Sequence, residues 1–219
     1  MSLSMLAYNE LVDIYGISEI VAFTPPPPPL VERESEDSWE TLEAELADCK
    51  RCPLCKTRQT IVFGAGDRNA ELIFIGEGPG HEEDLSGIPF VGKAGQLLTK
   101  MIEAMHYKRE EVFIANVVKC RPPENRDPFQ NEVDACIGFL RRQINLVKPK
   151  VIVTLGTIAA IHLLKLDAKI SKLRGSFREY EGMKVMPTYH PAYLLRNETK
   201  KKDVWQDLKQ VMALLGKQP

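Results

Sequence analysis

The sequence contains no long hydrophobic run; its longest apolar stretches, such as Val151 to Leu155 and Leu72 to Gly76, stop at about five residues. A helix that crosses a bilayer needs roughly 20, so no membrane partner is expected. It also has no basic start followed by an unbroken apolar core and a small-residue cleavage site, the pattern of a secretory leader. The expected location is therefore cytoplasmic. Five cysteines, at 49, 52, 55, 120 and 136, are not placed as in a small secreted disulfide scaffold, and a cytoplasmic chain keeps its thiols reduced. Internal repeats are missing too. What is there is ordinary globular composition, 219 residues with 44% hydrophobic and 27% charged, enough for one large domain or a domain with an appendage.

Over the whole chain neither charge sign dominates, the formal net charge being -1. That balance hides a division. Residues 1 to 48 hold eleven acids against Arg33 alone, a net -10, which leaves 28 bases against 19 acids, a net +9, in 49 to 219. Asymmetry of this kind points to a polyanion site in the basic part. Pro25 to Pro29 form a stiff polyproline spacer that cannot join a packed core. Ser38 ahead of Trp39-Glu-Thr-Leu-Glu-Ala-Glu-Leu predicts a capped helix running toward the first cysteines. Residues 1–36 thus read as an acidic, proline-containing extension and 37–219 as the compact domain.

From residue 71 apolar strands alternate with helices. Strands are predicted at 71–76, 112–118, 150–155 and 184–189, and helices at 92–105, 131–147, 157–164, shortly after Pro191 and at 202–215. This alternation predicts an α/β fold, three layers α/β/α around a central, mainly parallel four-stranded sheet. Ligands in such folds sit beyond the carboxyl ends of the strands, in the loops that begin at Gly76, Asn116, Gly156 and His190.

Cys49 and Cys52 form a C-x2-C pair, and Cys120 and Cys136 a second pair with fifteen residues between. Two such pairs brought together supply four thiolates, which suits either zinc or an iron-sulfur cluster. Cys55 is left over. Gly76-Glu-Gly-Pro-Gly80 makes a poor dinucleotide fingerprint, because its last glycine comes too early and no helix is expected directly after it. Its glycines instead let backbone amides approach a ligand, with the carboxylates of Glu77 and Glu83 close by.

These loops form a set: GEGPG at 76–80, PFVGKAGQLL at 89–98, NVVKCRPPENR at 116–126, HPAYLLRN at 190–197, and the four cysteines. In order and spacing the set resembles the family 4 uracil-DNA glycosylases, the iron-sulfur branch of that superfamily, from about Cys49 to the C-terminal helix. The resemblance implies a [4Fe-4S] cluster on Cys49, Cys52, Cys120 and Cys136 with a structural role. It further implies that Phe90 stacks on a flipped uracil, that Asn116 reads its O4 and N3–H edge, and that the backbone at Gly78 touches the base. His190 is expected to donate to uracil O2 as negative charge develops. Glu77 is the first choice for activating water and Glu83 the second, or else a steric gate against thymine; family 1 enzymes carry an aspartate where this chain has Gly78. Lys93, Arg121, Arg126 and Arg196, with Lys200 to Lys202, are expected on DNA, and Leu194 or Leu195 as the wedge filling the gap left by the base.

The expected activity is monofunctional: uracil leaves uracil-containing DNA, single- or double-stranded, and an abasic site remains. The active form is expected to be a monomer, with the extension open to a replication or repair partner. One competing reading is a non-enzymatic iron-sulfur or zinc protein that senses redox state or accompanies a polymerase. Another is a relative that captures uracil-DNA through a histidine nucleophile; the loop from Arg121 to Arg126 contains no histidine.

Overall fold

The computed structural model describes residues 37–218. The extension expected at 1–36 lies outside the described residues. Helix α1, Trp39–Ala47, begins where Ser38 Oγ accepts the Thr41 backbone N–H at 3.2 Å, satisfying one of the orphan donors of a helix start. Its Leu42 and Leu46 are buried against the sheet.

Four parallel strands form the middle of the sheet: β2 (Leu72–Gly76), β3 (Phe113–Asn116), β4 (Val151–Leu155) and β6 (Met183–Thr188). Two short strands, β1 (Ala65–Gly66) and β5 (Arg178–Tyr180), pair antiparallel at the two edges. The order is β1-β3-β2-β4-β6-β5, so among the described residues the sheet has six strands where the apolar runs predict four. Both additions are too short and too polar or exposed to carry a strand signature.

The central strands are buried on both faces, and alternate residues enter opposite layers. Ile73, Ile75, Phe113, Ala115, Ile152 and Val185 pack toward α1, α4 (Gln130–Val147) and α5 (Thr157–Leu164). Leu72, Phe74, Ile114, Val151, Val153 and Met186 pack toward α3 (Lys93–Ala104) and α8 (Lys201–Leu214). This is the expected α/β/α sandwich. Between α2 (His81–Ser86) and α3, and around α6 (Ile170–Leu173) and α7 (Pro191–Arg196), the chain makes its remaining turns. Helix α2 corrects one expectation, because it starts immediately after Gly80. No cap side chain announces it; the Glu83 carboxylate reaches back to accept the Gly80 N–H at 3.1 Å.

The chain runs from β2 to β3 on one side and then crosses back past β2 to β4. Such a reversal opens a crevice beyond the strand ends. Register puts Gly76 level with Asn116 and Leu155 level with Thr188, so the loops after all four parallel strands emerge at one edge. Among the described residues, no helix is long and apolar enough to cross a membrane.

Candidate active site

A cavity of about 390 Å³ lies at that edge. Four of its walls are the segments singled out from the sequence: Glu77 to Gly80 after β2, Phe90, Asn116 at the end of β3, and His190 after β6. Gly76 is what lets them meet. A β-carbon there would stand 2.4 Å from Asn116 Oδ1 and 2.5 Å from Phe90 Cζ, both impossible contacts. Asn116 is 2% exposed, and its Oδ1 is buried without a hydrogen-bond partner among the described residues. An orphaned buried acceptor is costly unless a ligand supplies the donor.

Phe90 is 6% exposed and its ring centre lies 5.6 Å from that of His190, tilted by 34°. Its φ of 54° is in the left-handed region, where a bulky residue costs about 1–3 kcal/mol and stays only if its surroundings hold it. Gly95 is part of the fit, since a β-carbon there would fall 1.9 Å from the Phe90 carbonyl.

His190 caps α7. Its Nδ1 accepts the Ala192 N–H at 3.1 Å, which leaves the ring proton on Nε2. Burial pulls its pKa down to about 4, so near neutral pH it is an uncharged imidazole with one N–H to give. Behind it, Thr188 Oγ1 donates to Asp207 Oδ2 at 2.5 Å, and Arg174 reaches both oxygens of Asp207, at 2.7 and 3.1 Å. Asp207 is fully buried and fixes the end of β6. Its 19-residue separation from Thr188 hid this support from sequence reading.

Glu77 is half-buried, and burial followed by the negative charge of Asp127 raises its carboxyl to about 7. Asp127 lines the same cavity and was not singled out from the sequence. Glu83 also lines it, but its carboxylate is occupied: it accepts the N–H groups of Gly80, Val91 and Gly92 at 3.1, 2.9 and 2.9 Å. That engagement argues against Glu83 as the group that activates water.

The side chains expected on DNA divide. Arg196 lines the cavity and is exposed, and Lys93 is exposed at the first position of α3. Arg121 donates to Asn125 Oδ1 at 2.8 Å and to His81 Nδ1 at 3.1 Å, bridging the loop after β3 to α2. Arg126 is spent internally, holding both oxygens of buried Glu132 at 2.8 and 2.7 Å and stacking on Phe129. Lys200 and Lys201 pair with Asp203 and Glu198. Leu194 corrects the wedge expectation: it is 1% exposed within the core, whereas Leu195 is 45% exposed. Only the latter can enter a base stack without unpacking the fold.

Cys120 and Cys136 are buried in the core layer beneath α1, and Cys49 and Cys52, partly buried, pack against that same layer. Cys136 lies within electrostatic reach of Cys52 and Cys49, and Cys120 of Cys136 and Cys52. Sulfur is met by N–H donors, the Lys119 amide at 3.3 Å from Cys136 Sγ and Arg58 at 3.4 Å from Cys120 Sγ; Arg58 also holds the Cys49 carbonyl at 2.8 Å. Among the described residues no three His, Cys, Asp or Glu groups close on a single ion. An all-thiol donor set with N–H groups directed at sulfur is nonetheless the environment an iron-sulfur cluster uses. Fully buried Lys119 adds a link, donating to Asn116 O at 2.9 Å and Gln143 Oε1 at 2.6 Å.

The family model described as "Uracil DNA glycosylase superfamily" matches residues 63–209, and with this crevice at its strand ends the chain falls in that class of α/β proteins. It is 42% identical over 189 residues to a type-4 uracil-DNA glycosylase of Archaeoglobus fulgidus, covering 83% of this chain and 95% of that one. To the type-4 enzyme of Thermotoga maritima it is 42% identical over 189 residues, 84% of this chain and 97% of the other. To that of Sulfurisphaera tokodaii it is 44% identical over 188 residues, 81% and 85% of the two. The chain belongs to the type-4 uracil-DNA glycosylases.

Proposed function

We propose that the protein removes uracil from DNA by hydrolysing its N-glycosidic bond, releasing free uracil and leaving an abasic site. The observation that carries this reading is the buried, partnerless Asn116 Oδ1 set beside Phe90 and His190 in one cavity. A base inside a duplex is out of reach, so the nucleotide has to turn out of the stack, at a cost of a few kcal/mol. Phe90 then offers a face to the pyrimidine ring. The Asn116 carboxamide accepts from N3–H and donates to O4, a pairing that cytosine presents reversed. Uracil therefore supplies the donor that Asn116 Oδ1 lacks.

As the C1′–N1 bond breaks, its electron pair leaves with the base and negative charge gathers on O2. The Nε2–H of neutral His190 is the group to receive it, and support from Thr188 and Asp207 means little reorganisation is needed. Water adds to C1′ of the cationic sugar and gives up a proton. Glu77, raised to about 7, has the affinity to take that proton near neutral pH. Cys49, Cys52, Cys120 and Cys136 would hold a [4Fe-4S] cluster, whose contribution is to tie the segment after α1 to the loop after β3 and to α4.

Every residue lining the cavity falls between Glu77 and Arg196, which supports 37–219 as the catalytic domain, and the active form is taken to be a monomer. The net +9 of residues 49–219, with Arg196 at the cavity rim, supports DNA as the partner. The test is incubation with a uracil-containing oligonucleotide. Free uracil and an abasic strand are expected; an intact strand, or a covalent adduct, would overturn the proposal.

A further inference from the structure

The strained backbone of Phe90 is gripped from both sides by charged side chains. Past it, Glu83 Oε1 accepts the N–H groups of Val91 and Gly92 at 2.9 Å each. Ahead of it, Arg109 Nη2 donates to the Pro89 carbonyl at 2.5 Å while Nη1 donates to Thr99 Oγ1 at 3.1 Å. Thr99 Oγ1 in turn donates to the Gly95 carbonyl at 3.2 Å, and Gly95 is the residue whose missing side chain makes room for the Phe90 backbone. Arg109 comes from elsewhere in the fold, the short 3-10 turn Arg109–Glu111 ahead of β3. It is half-buried, lies within electrostatic reach of Glu83, and does not line the cavity.

We infer that Arg109 is a positioning residue for base stacking: with Glu83 it clamps the Pro89–Gly92 turn in its left-handed form and so fixes the Phe90 ring over the base. The inference rests on the uracil-excision reading for its kinetic consequence, though not for its structural one. A left-handed conformation at a phenylalanine relaxes to the ordinary region when its neighbours let go. Relaxation would carry the ring away from Asn116 and His190, the groups with which it shares the cavity. An arginine that only secured the fold would lower thermal stability and leave the pocket's intrinsic chemistry as it was.

A double-mutant cycle separates these roles. With uracil-containing single strand as substrate, Arg109→Ala is expected to lower kcat/KM roughly tenfold to a hundredfold, the loss expected for one charge-assisted hydrogen bond. In a Phe90→Ala background the same change should cost less than about threefold, because no ring is left to position. Arg109→Lys, which keeps a charge and a donor, should recover part of the loss and serves as the working variant should Arg109→Ala not fold. Hydrogen exchange gives a readout independent of catalysis: the amides of Val91 and Gly92 should exchange faster in the Arg109 variant while those of β2 and β4 do not. Equal losses with and without Phe90, or unchanged protection at Val91 and Gly92, would overturn the inference. An inactive wild type would instead refute uracil excision, and the exchange comparison would still judge the clamp.

Discussion

Removing the negative charge beside Glu77 should shift the acid side of the pH–rate profile in a known direction. Burial is the larger cause of that carboxyl's rise to about 7 and Asp127 the smaller. As the proposed general base, Glu77 would work only when ionised, so activity is expected to fall as pH drops through 7. At pH 5, two units below, about 1% of the carboxyl is ionised, and the single-turnover rate should be about 100-fold below its plateau. His190, held down at about 4, stays neutral across this range and does not create the limb. Asp127→Asn removes the lesser contribution. Its carboxylate is exposed and screened by solvent, so the midpoint should fall by less than about one unit, equivalent to less than about 1.4 kcal/mol. The measurement is single-turnover uracil release between pH 5 and 9 for wild type, Asp127→Asn and Glu77→Gln. Wild type should show an acid limb near 7, the asparagine variant the same limb displaced downward, and Glu77→Gln a low rate without it. A wild-type limb near the ordinary carboxylate value, or a full rate in Glu77→Gln, would refute the assignment of Glu77.

Three further expectations concern other parts of the site. His190→Ala should lower kcat by about 100- to 1000-fold with a smaller change in KM if, as proposed, its N–H acts on charge that develops in the transition state; steady-state kinetics checks the split. Gly76→Ala should abolish measurable excision, since its β-carbon would stand 2.4 Å from Asn116 Oδ1 and 2.5 Å from Phe90 Cζ; the same assay decides, with circular dichroism confirming that the sheet persists. Cys136→Ser should bleach the broad visible absorption of an iron-sulfur protein and lower Tm; a colourless wild type would remove the cluster from the account.

The four parallel strands were legible because each is apolar on both faces, as a strand between two helical layers has to be. Edge strands β1 and β5 were not, being two and three residues long and partly exposed. Helix α2 was missed for a related reason: its cap is a carboxylate three residues inside it rather than a residue at its start. The residues around the cavity could be named, but their division of labour depended on geometry. Glu83 looks as free as Glu77 until its three backbone donors are seen, and Arg126 looks as available as Arg196 until Glu132 is found against it. Leu194 and Leu195 are chemically equal, and only the rotation of α7 makes one core and the other surface.

Uptake of uracil by this cavity and its separation from the sugar are the core of the proposed function. Its most direct test is analysis of both products after wild-type protein meets matched oligonucleotides containing a single uracil or a single thymine. Free uracil in amounts equal to new abasic sites, with the thymine strand untouched, is the predicted result. Absence of free base from the uracil strand, or protein bound covalently to it, would contradict the account.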